Sequence, residues 1–180
     1  MALPEGQEFH LGRVRDLDIS MSALGIGGTL FNIVLFTLLG RVLFKRPAKR
    51  ALAGGVTLAL IHWSLELWHN LGHDVAARMT GHPMSGIRFG AYGVLGTGLY
   101  PDDEGELPPR VHITRALGGP IGSAAMSVGT GLLALVAAPF SFSWIPLVAF
   151  LDNLLVFTIG AWIPLGFNDV STILYWMRRR

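Results

Sequence analysis

Four long apolar runs restrict the folds that this chain of 180 residues can adopt. They lie at about residues 19–44, 51–79, 111–138 and 144–165. Each is close to the roughly 20 residues that a helix needs to cross about 30 Å of hydrocarbon. Such runs should be helical, because no water is present there to satisfy the backbone groups. Together with 51% apolar residues, 14% charged residues and a mean hydropathy of +0.49, they predict an all-α integral membrane protein with about four transmembrane helices.

Composition narrows the chemistry further. The chain contains no cysteine, so any metal must be held by His, Asp, Glu or Asn. A net charge of +2 without a basic stripe argues against nucleic-acid binding. Residues 1–18 are polar, and we interpret them as an N-terminal tail followed by a single membrane domain over residues 19–180. We expect this domain to contact membrane lipid and to lie in the plasma (inner) membrane of a prokaryote.

Glycine marks two segments of the membrane domain. The glycines at 25, 27 and 28 predict close packing of the first apolar helix against another helix. Residues 84–100 contain short apolar pieces separated by glycines, a pattern typical of a β-hairpin or a re-entrant element. Proline and glycine beside Asp169 predict that the last helix is interrupted and lines a site.

The second apolar run contains the sequence His69-Asn70-Leu-Gly-His73. Histidines four residues apart point to the same side of a helix, a spacing that suits a shared metal ion. The HExxH signature of zinc hydrolases uses this spacing, with the glutamate after the first histidine acting as general base. Here Asn70 takes the place of that glutamate, and an amide cannot remove a proton from water at neutral pH. The motif therefore keeps the histidines and lacks the base.

Two further ionisable residues, His62 and Glu66, share the helix face of these histidines. For His62 we favour a role in helix packing or at headgroup level. Glu66 lies one turn before His69, where three roles stay open: a further metal ligand, a partner that orients a histidine, or a purely structural residue. As a substitute base Glu66 is a weak candidate, because a residue one turn earlier points toward another level of the helix.

Further along the chain lie Gly119-Pro120 with a small polar residue at 123, and Asn153 and Pro164 before Asp169. With His69-Asn70-Leu-Gly-His73 before them, these motifs stand in an order that resembles the site-2 protease family of intramembrane zinc metalloproteases; the resemblance is strongest over residues 60–175. It implies a β element after the first motif, zinc as the cofactor, and His69, His73 and Asp169 as its ligands.

Three departures from the family pattern bear on function. Asn70 replaces the general base, Ser123 stands at the position of an asparagine, and Asn168-Asp169-Val170 replaces Leu-Asp-Gly. Since general acid–base catalysis contributes about 10² to 10⁴ in rate, the first departure favours a divergent, non-proteolytic member that binds a transmembrane helix of another protein or a ligand. The alternatives are an active zinc metalloprotease or hydrolase with an altered base, and a structural bundle whose histidines bond internally.

Overall fold

The computed structural model describes residues 7–179. Three uninterrupted helices, α1 (Ala23–Val42), α2 (Ala48–Met79) and α3 (Pro109–Ala137), are followed by a fourth in three pieces and by a short last helix. The fourth starts as α4 (Trp144–Asp152), continues as a π-helical segment (Asn153–Ile159) and ends in a 3₁₀ turn (Gly160–Trp162). The last helix is α5 (Asp169–Met177).

Within residues 7–179, four helices are long and apolar enough to cross a membrane: α1, α2, α3 and the stretch from Trp144 to Trp162. Their outer surface is apolar, with Leu60 63% and Leu135 73% exposed. An aqueous solvent would make such a surface costly, whereas lipid tails cover it without penalty. The prediction of a helical integral membrane protein with four spans, a β-hairpin and an interrupted last helix is confirmed.

A four-stranded sheet packs beside the ends of these helices. Its strands are β1 (Glu8–Val14), β2 (Leu17–Ser22), β3 (Gly86–Phe89) and β4 (Thr97–Leu99), in that order. The pairs β1–β2 and β3–β4 are antiparallel, whereas β2 and β3 run parallel with Ile19 opposite Ile87. Leu17 and Ile87 are fully buried under the sheet against α2.

The description of residues 1–18 as a polar tail needs correction over the residues that the structure describes. From Glu8 to Ser22 the chain forms a hairpin, and α1 begins at Ala23, capped by the Ser22 hydroxyl, rather than near residue 19. Arg13 and Asp18 form an ion pair across this hairpin. Residues 1–6 of the predicted tail lie outside the described residues.

Gly25 and Gly28 of α1 pack closely, but against a loop and not against another helix as predicted. A Cβ atom on Gly25 would lie 3.1 Å from the Cα atom of Gly90, and one on Gly28 would overlap the carbonyl of Gly93. Gly27 faces open space. The β3–β4 loop therefore rests on α1, and the Ser22 hydroxyl strengthens this contact by donating to the carbonyl of Gly90 at 2.8 Å.

At the opposite end of the bundle, Trp144 of α4 packs against the glycine faces of α1 and α2. Its ring lies where Cβ atoms on Gly40 and Gly54 would collide with it. Phe36, Leu58 and Val148 complete the buried cluster around this contact. The two glycines thus make room for the Trp144 ring between α1 and α2, in keeping with the use of small residues at helix contacts in lipid.

Candidate metal centre

One face of α2 carries all the ionisable residues that the sequence pattern placed on it. His62, Glu66, His69 and His73 are 3%, 3%, 8% and 9% exposed. Asn70 is 2% exposed and lies beside Glu66. Polar groups at this depth need partners. His69 and His73, near the sheet end of α2, share one set of partners, and His62, farther from the sheet, has another.

The structure brings His69, His73 and Asp169 together. The Nε2 atoms of the histidines are 3.1 Å apart. Oxygens of Asp169 lie 3.3 Å from Nε2 of His69 and 3.2 Å from Nε2 of His73. Tetrahedral zinc with bonds of about 2.0–2.1 Å spaces its ligand atoms by about 3.3 Å. The three side chains thus present ligand atoms at a spacing that fits one zinc ion.

Asp169 reaches the histidines because the chain reverses after the fourth span. The helix ends at Trp162, Gly166 adopts a positive φ of +89°, and α5 then starts at Asp169 itself. The amide group of Asn168 donates to the carbonyls of Gly160 and Ile163, while its oxygen accepts from Ser171 at 2.7 Å. Asn168 therefore holds the turn that positions the neighbouring carboxylate.

Helix α3 fixes the tautomer of His73. Its Nδ1 lies 2.8 Å from the backbone carbonyl of Arg115. The backbone nitrogen of Gly119 also approaches this Nδ1, at the longer distance of 3.2 Å. A carbonyl oxygen can only accept, so the shorter contact assigns the proton to Nδ1, which donates it to Arg115. The Nε2 lone pair is then directed at Asp169 and His69, as a metal ligand requires.

His69 is oriented by Ser123, also on α3. The distance from its Nδ1 to the Ser123 hydroxyl oxygen is 2.9 Å, and both residues are buried. Asn153, the first residue of the π-helical segment, donates to the Ser123 carbonyl and to the Ser127 hydroxyl, each at 2.8 Å. The serine at 123 therefore has a role at the site: it orients one of the two histidines.

Glycines allow α2 and α3 to approach closely at the site. A Cβ atom on Gly119 would overlap the imidazole rings of both His69 and His73. Gly72 and Gly118 make a similar backbone-to-backbone contact one turn away. A side chain at 119 would fill the space next to both Nε2 atoms, so glycine keeps that space free.

Asn70 and Glu66 form a pair of their own. The amide nitrogen of Asn70 donates to the Oε1 atom of Glu66 at 2.8 Å and to its backbone carbonyl at 3.0 Å. The same Oε1 accepts from the backbone N–H of Gly96 at 2.9 Å. Of the roles left open for Glu66, the contacts favour a structural one. Its carboxylate holds the end of the β3–β4 loop, at Gly96, against α2. Glu66 is absent from the group of three residues whose ligand atoms converge.

A cavity of about 450 Å³ opens in front of the three converging side chains. Its walls come from α2, the β3–β4 loop, the π-helical segment and the chain around α5, and include Glu66, Asn70, Leu95, Thr97, Val156, Phe157, Leu165 and Phe167. Tyr92 of the loop stacks on Phe167, with ring centroids 4.7 Å apart. The cavity wall is therefore mixed, with polar side chains around the three converging residues and apolar ones from the loop, the π-helical segment and the chain before α5.

Arg115 closes the outer end of this cavity. Its guanidinium binds both carboxylate oxygens of Glu104, donates to the carbonyl of His82, and lies 4.1 Å above the ring of Tyr100. The Arg115 hydrogen bonds lower the pKa of the Glu104 carboxyl, and burial raises the pKa of Tyr100 to about 12. The tyrosine hydroxyl therefore stays protonated at neutral pH and is available as a donor in the cavity.

His62 lies apart from the converging ligands and packs between helices and loop, in keeping with the structural role that we favoured. Its Nδ1 is 2.9 Å from Asp152 of α4, and its Nε2 is 2.8 Å from the carbonyl of Val94. Asp152 is an acidic residue within the fourth apolar run. An acidic residue within an apolar run was the available signal, since such a residue needs a counterpart in lipid.

Comparisons with known proteins support the fold and do not identify an activity. No protein-family model matches the chain, and no curated protein matches it. Among solved structures, the site-2 protease from Methanocaldococcus jannaschii is similar, with a TM-score of 0.65 and 14% sequence identity. The match covers 96% of this chain and 72% of that chain. At this identity the likeness establishes a shared fold and leaves activity open.

Proposed function

We propose that this protein is a divergent site-2-protease-like membrane protein that binds zinc through His69, His73 and Asp169 and does not cleave peptides. Its cavity would instead hold a membrane partner, such as a transmembrane helix of another protein, or a small ligand. The fold and the converging ligand atoms support this proposal. The plasma (inner) membrane of a prokaryote is the location that we propose.

The observation that carries the proposal is the pairing of Asn70 with Glu66. Zinc, when bound, would supply a Lewis acid at the polar end of the cavity. Proteolysis also needs a carboxylate that removes a proton next to that ion, and Asn70 has none. Its amide nitrogen is already committed to the Glu66 side chain at 2.8 Å. The chain's own residues can therefore hold and orient a metal but offer no base directly after the first histidine.

The alternative is a hydrolase in which Glu66 acts as the base. One observation favours it: Glu66 lines the same cavity as His69 and His73. Against it, one carboxylate oxygen of Glu66 already accepts hydrogen bonds from both Asn70 and the backbone N–H of Gly96, so that oxygen is not free to take a proton from water.

Two measurements on the purified protein test these alternatives. One is cleavage of transmembrane peptides in detergent or liposomes, and the other is analysis of bound zinc. The informative variant is the double exchange Glu66→Gln and Asn70→Glu, which swaps the acid and the amide and so keeps a hydrogen bond between them. We expect bound zinc in both proteins, no cleavage above background by wild type, and a gain of cleavage in the exchanged variant. Cleavage by wild type that is lost in Glu66→Gln would establish the alternative. Absence of stoichiometric zinc would reject the metal centre.

A further inference from the structure

His62 is a buried histidine whose two ring nitrogens both face oxygen acceptors. It is 3% exposed and enclosed by the rings of Phe36, Trp63 and Phe157, at centroid distances of 6.5, 5.3 and 5.2 Å. Nε2 lies 2.8 Å from the carbonyl of Val94, and Nδ1 lies 2.9 Å from a carboxylate oxygen of Asp152. The candidate metal centre uses none of these polar groups.

The geometry sets the number of protons that His62 and Asp152 share. Because a carbonyl only accepts, Nε2 must donate to Val94. A neutral imidazole would then turn the lone pair of Nδ1 toward a carboxylate oxygen at 2.9 Å, which is repulsive. A hydrogen must therefore lie between Nδ1 and Asp152, whichever atom carries it. The pair holds one proton more than a neutral histidine and an ionised aspartate, and so has no net charge.

These contacts join three parts of the cavity wall. Val94 belongs to the β3–β4 loop, which otherwise rests on α1 through its glycines. Asp152 is the last residue of α4, directly before the π-helical segment. Phe157 of that segment contacts the His62 ring and lines the cavity. His62, on α2, thus connects the loop on one side of the cavity to the interrupted helix on the other.

We propose that His62 and Asp152 form a proton-dependent latch that keeps the β3–β4 loop and the π-helical segment together and so holds this wall of the cavity closed. Loss of the shared proton leaves a buried net negative charge and places a lone pair against a carboxylate. Both effects are costly in a lipid environment, and separation of the loop from α4 relieves them.

The titratable groups around the latch are few. On α2 the nearest is Glu66, one turn away, whose carboxylate accepts from Asn70 and Gly96. The sequence contains no titratable side chain in α1 between Ala23 and Gly40, in α3 beyond Arg115, or between Asn153 and Trp162. The loop residues 90–96 contain only the phenol of Tyr92, which stacks on Phe167. The charge state of the latch is therefore set by His62, Asp152 and Glu66.

The absence of cysteine allows spin labels to be introduced at two chosen positions. Labels at Ala91→Cys in the loop and Leu151→Cys on α4 report the distance across the latch by electron paramagnetic resonance in liposomes. Nitrogen-15 NMR of labelled histidine follows the protons on His62 in parallel. We expect a narrow distance distribution at neutral pH that broadens and shifts to longer distances as NMR records loss of the shared proton at alkaline pH.

Two variants and a control isolate the latch. Asp152→Asn can donate to Nδ1 of a neutral His62, so its distribution should stay narrow at every pH. His62→Leu removes both donors and should give the broad distribution already at neutral pH. The matched control is His10→Gln, which changes an exposed histidine of β1 and should behave as wild type.

The proposal is overturned if His62 loses its proton with no change in the distance distribution, or if Asp152→Asn broadens with pH as wild type does. A folded His62→Leu protein with the narrow distribution overturns it as well. If that variant does not fold, the comparison of wild type with Asp152→Asn decides alone. Neither readout depends on metal binding or cleavage, so failure of the latch and failure of the proposed function are distinguishable.

Discussion

At Gly119, the absence of a side chain is what gives the two candidate ligands of α2 their space. A methyl group there would overlap both imidazole rings, whose Nε2 atoms must keep a separation near 3.1 Å to share an ion. Each ring is also held at Nδ1, His73 by the Arg115 carbonyl and His69 by Ser123. Because a hydrogen bond holds each ring at Nδ1, the rings have little freedom to move away from a new Cβ atom at position 119.

Gly119→Ala should therefore lower zinc affinity by at least about tenfold, a loss comparable to that from removing a group that orients a metal ligand. Titration of the purified protein with a competing zinc chelator measures the change. Gly129→Ala on the same helix is the matched control, because a Cβ atom there meets nothing within 4 Å. Equal zinc affinity in the two variants would show that the space in front of the histidines is not a metal site.

Residues of this centre differ in how far the sequence predicted them. His69 and His73 follow from helical spacing alone. Asp169, about a hundred residues later, came from the resemblance in motif order, and the structure places it within 3.3 Å of both histidines. The orienting contacts of Ser123 and the Arg115 carbonyl could not be predicted, since they depend on the rotation of α3 against α2. No local pattern in the sequence encodes that rotation.

At the scale of elements, glycines of α1 determine how closely this helix packs against the β3–β4 loop, which forms part of the cavity wall. Gly28→Ala places a methyl group against the Gly93 carbonyl, where rigid backbone must shift. We expect a loss of about 1–3 kcal/mol in stability, the usual cost of overpacking. Gly27→Ala, one residue away in open space, should be neutral or slightly stabilising because alanine favours helix. Thermal unfolding of both variants in one detergent makes the comparison, and equal destabilisation would contradict the contact.

Only half of the sheet was predicted from the sequence. Apolar length was sufficient for the four spans, and glycine punctuation predicted the β3–β4 hairpin. The strands β1 and β2 were not predicted, because β1 is largely exposed and because β2 pairs in parallel with β3, whose residues lie 68 positions later. Their stability comes from this distant pairing and from burial of Leu17 and Ile19 against α2, which a local pattern does not contain.

The acidic loop at residues 101–108 should respond to pH through Glu104. Its pKa is lowered in the folded protein by the hydrogen bonds from Arg115, so the contact stabilises the loop fully above the unfolded-state pKa of about 4.3 and less as pH falls through the folded value. Hydrogen exchange of the Glu104 amide, corrected for the intrinsic rate, should lose protection below about pH 4 in wild type.

Two variants test this assignment. Glu104→Gln should show the low protection at every pH, because its amide cannot replace the charged contact with Arg115. Glu106→Gln, at an exposed position of the same loop, should keep the wild-type profile. An acid-dependent loss of protection that persists in Glu104→Gln would assign the effect to another group.

At the scale of the whole molecule, strand pairing constrains how the chain crosses the membrane. Because β2 pairs with β3, the segment before α1 and the segment between α2 and α3 lie at the same end of the bundle. The loops at 43–47 and 138–143 lie at the other end, where Trp144 packs on Gly40 and Gly54. The candidate metal centre is near the sheet end, since His73 is six residues before the end of α2 at Met79. His69, His73 and Asp169 therefore lie nearer the end of the bundle that carries the sheet than the end that carries Trp144.

Labelling of single cysteines in vesicles of known orientation tests this arrangement. A membrane-impermeant thiol reagent should modify Arg13→Cys and Asp103→Cys from one side, and Lys45→Cys and Ser141→Cys from the other. All four positions are exposed and lie outside the four spans, so the substitutions should not disturb packing. The prediction fails if Asp103→Cys and Lys45→Cys react from the same side, because α2 would then not cross the bilayer. Modification of Arg13→Cys from the side of Lys45→Cys would instead separate β1 and β2 from β3, and the sheet could not form in the membrane as it does in this structure.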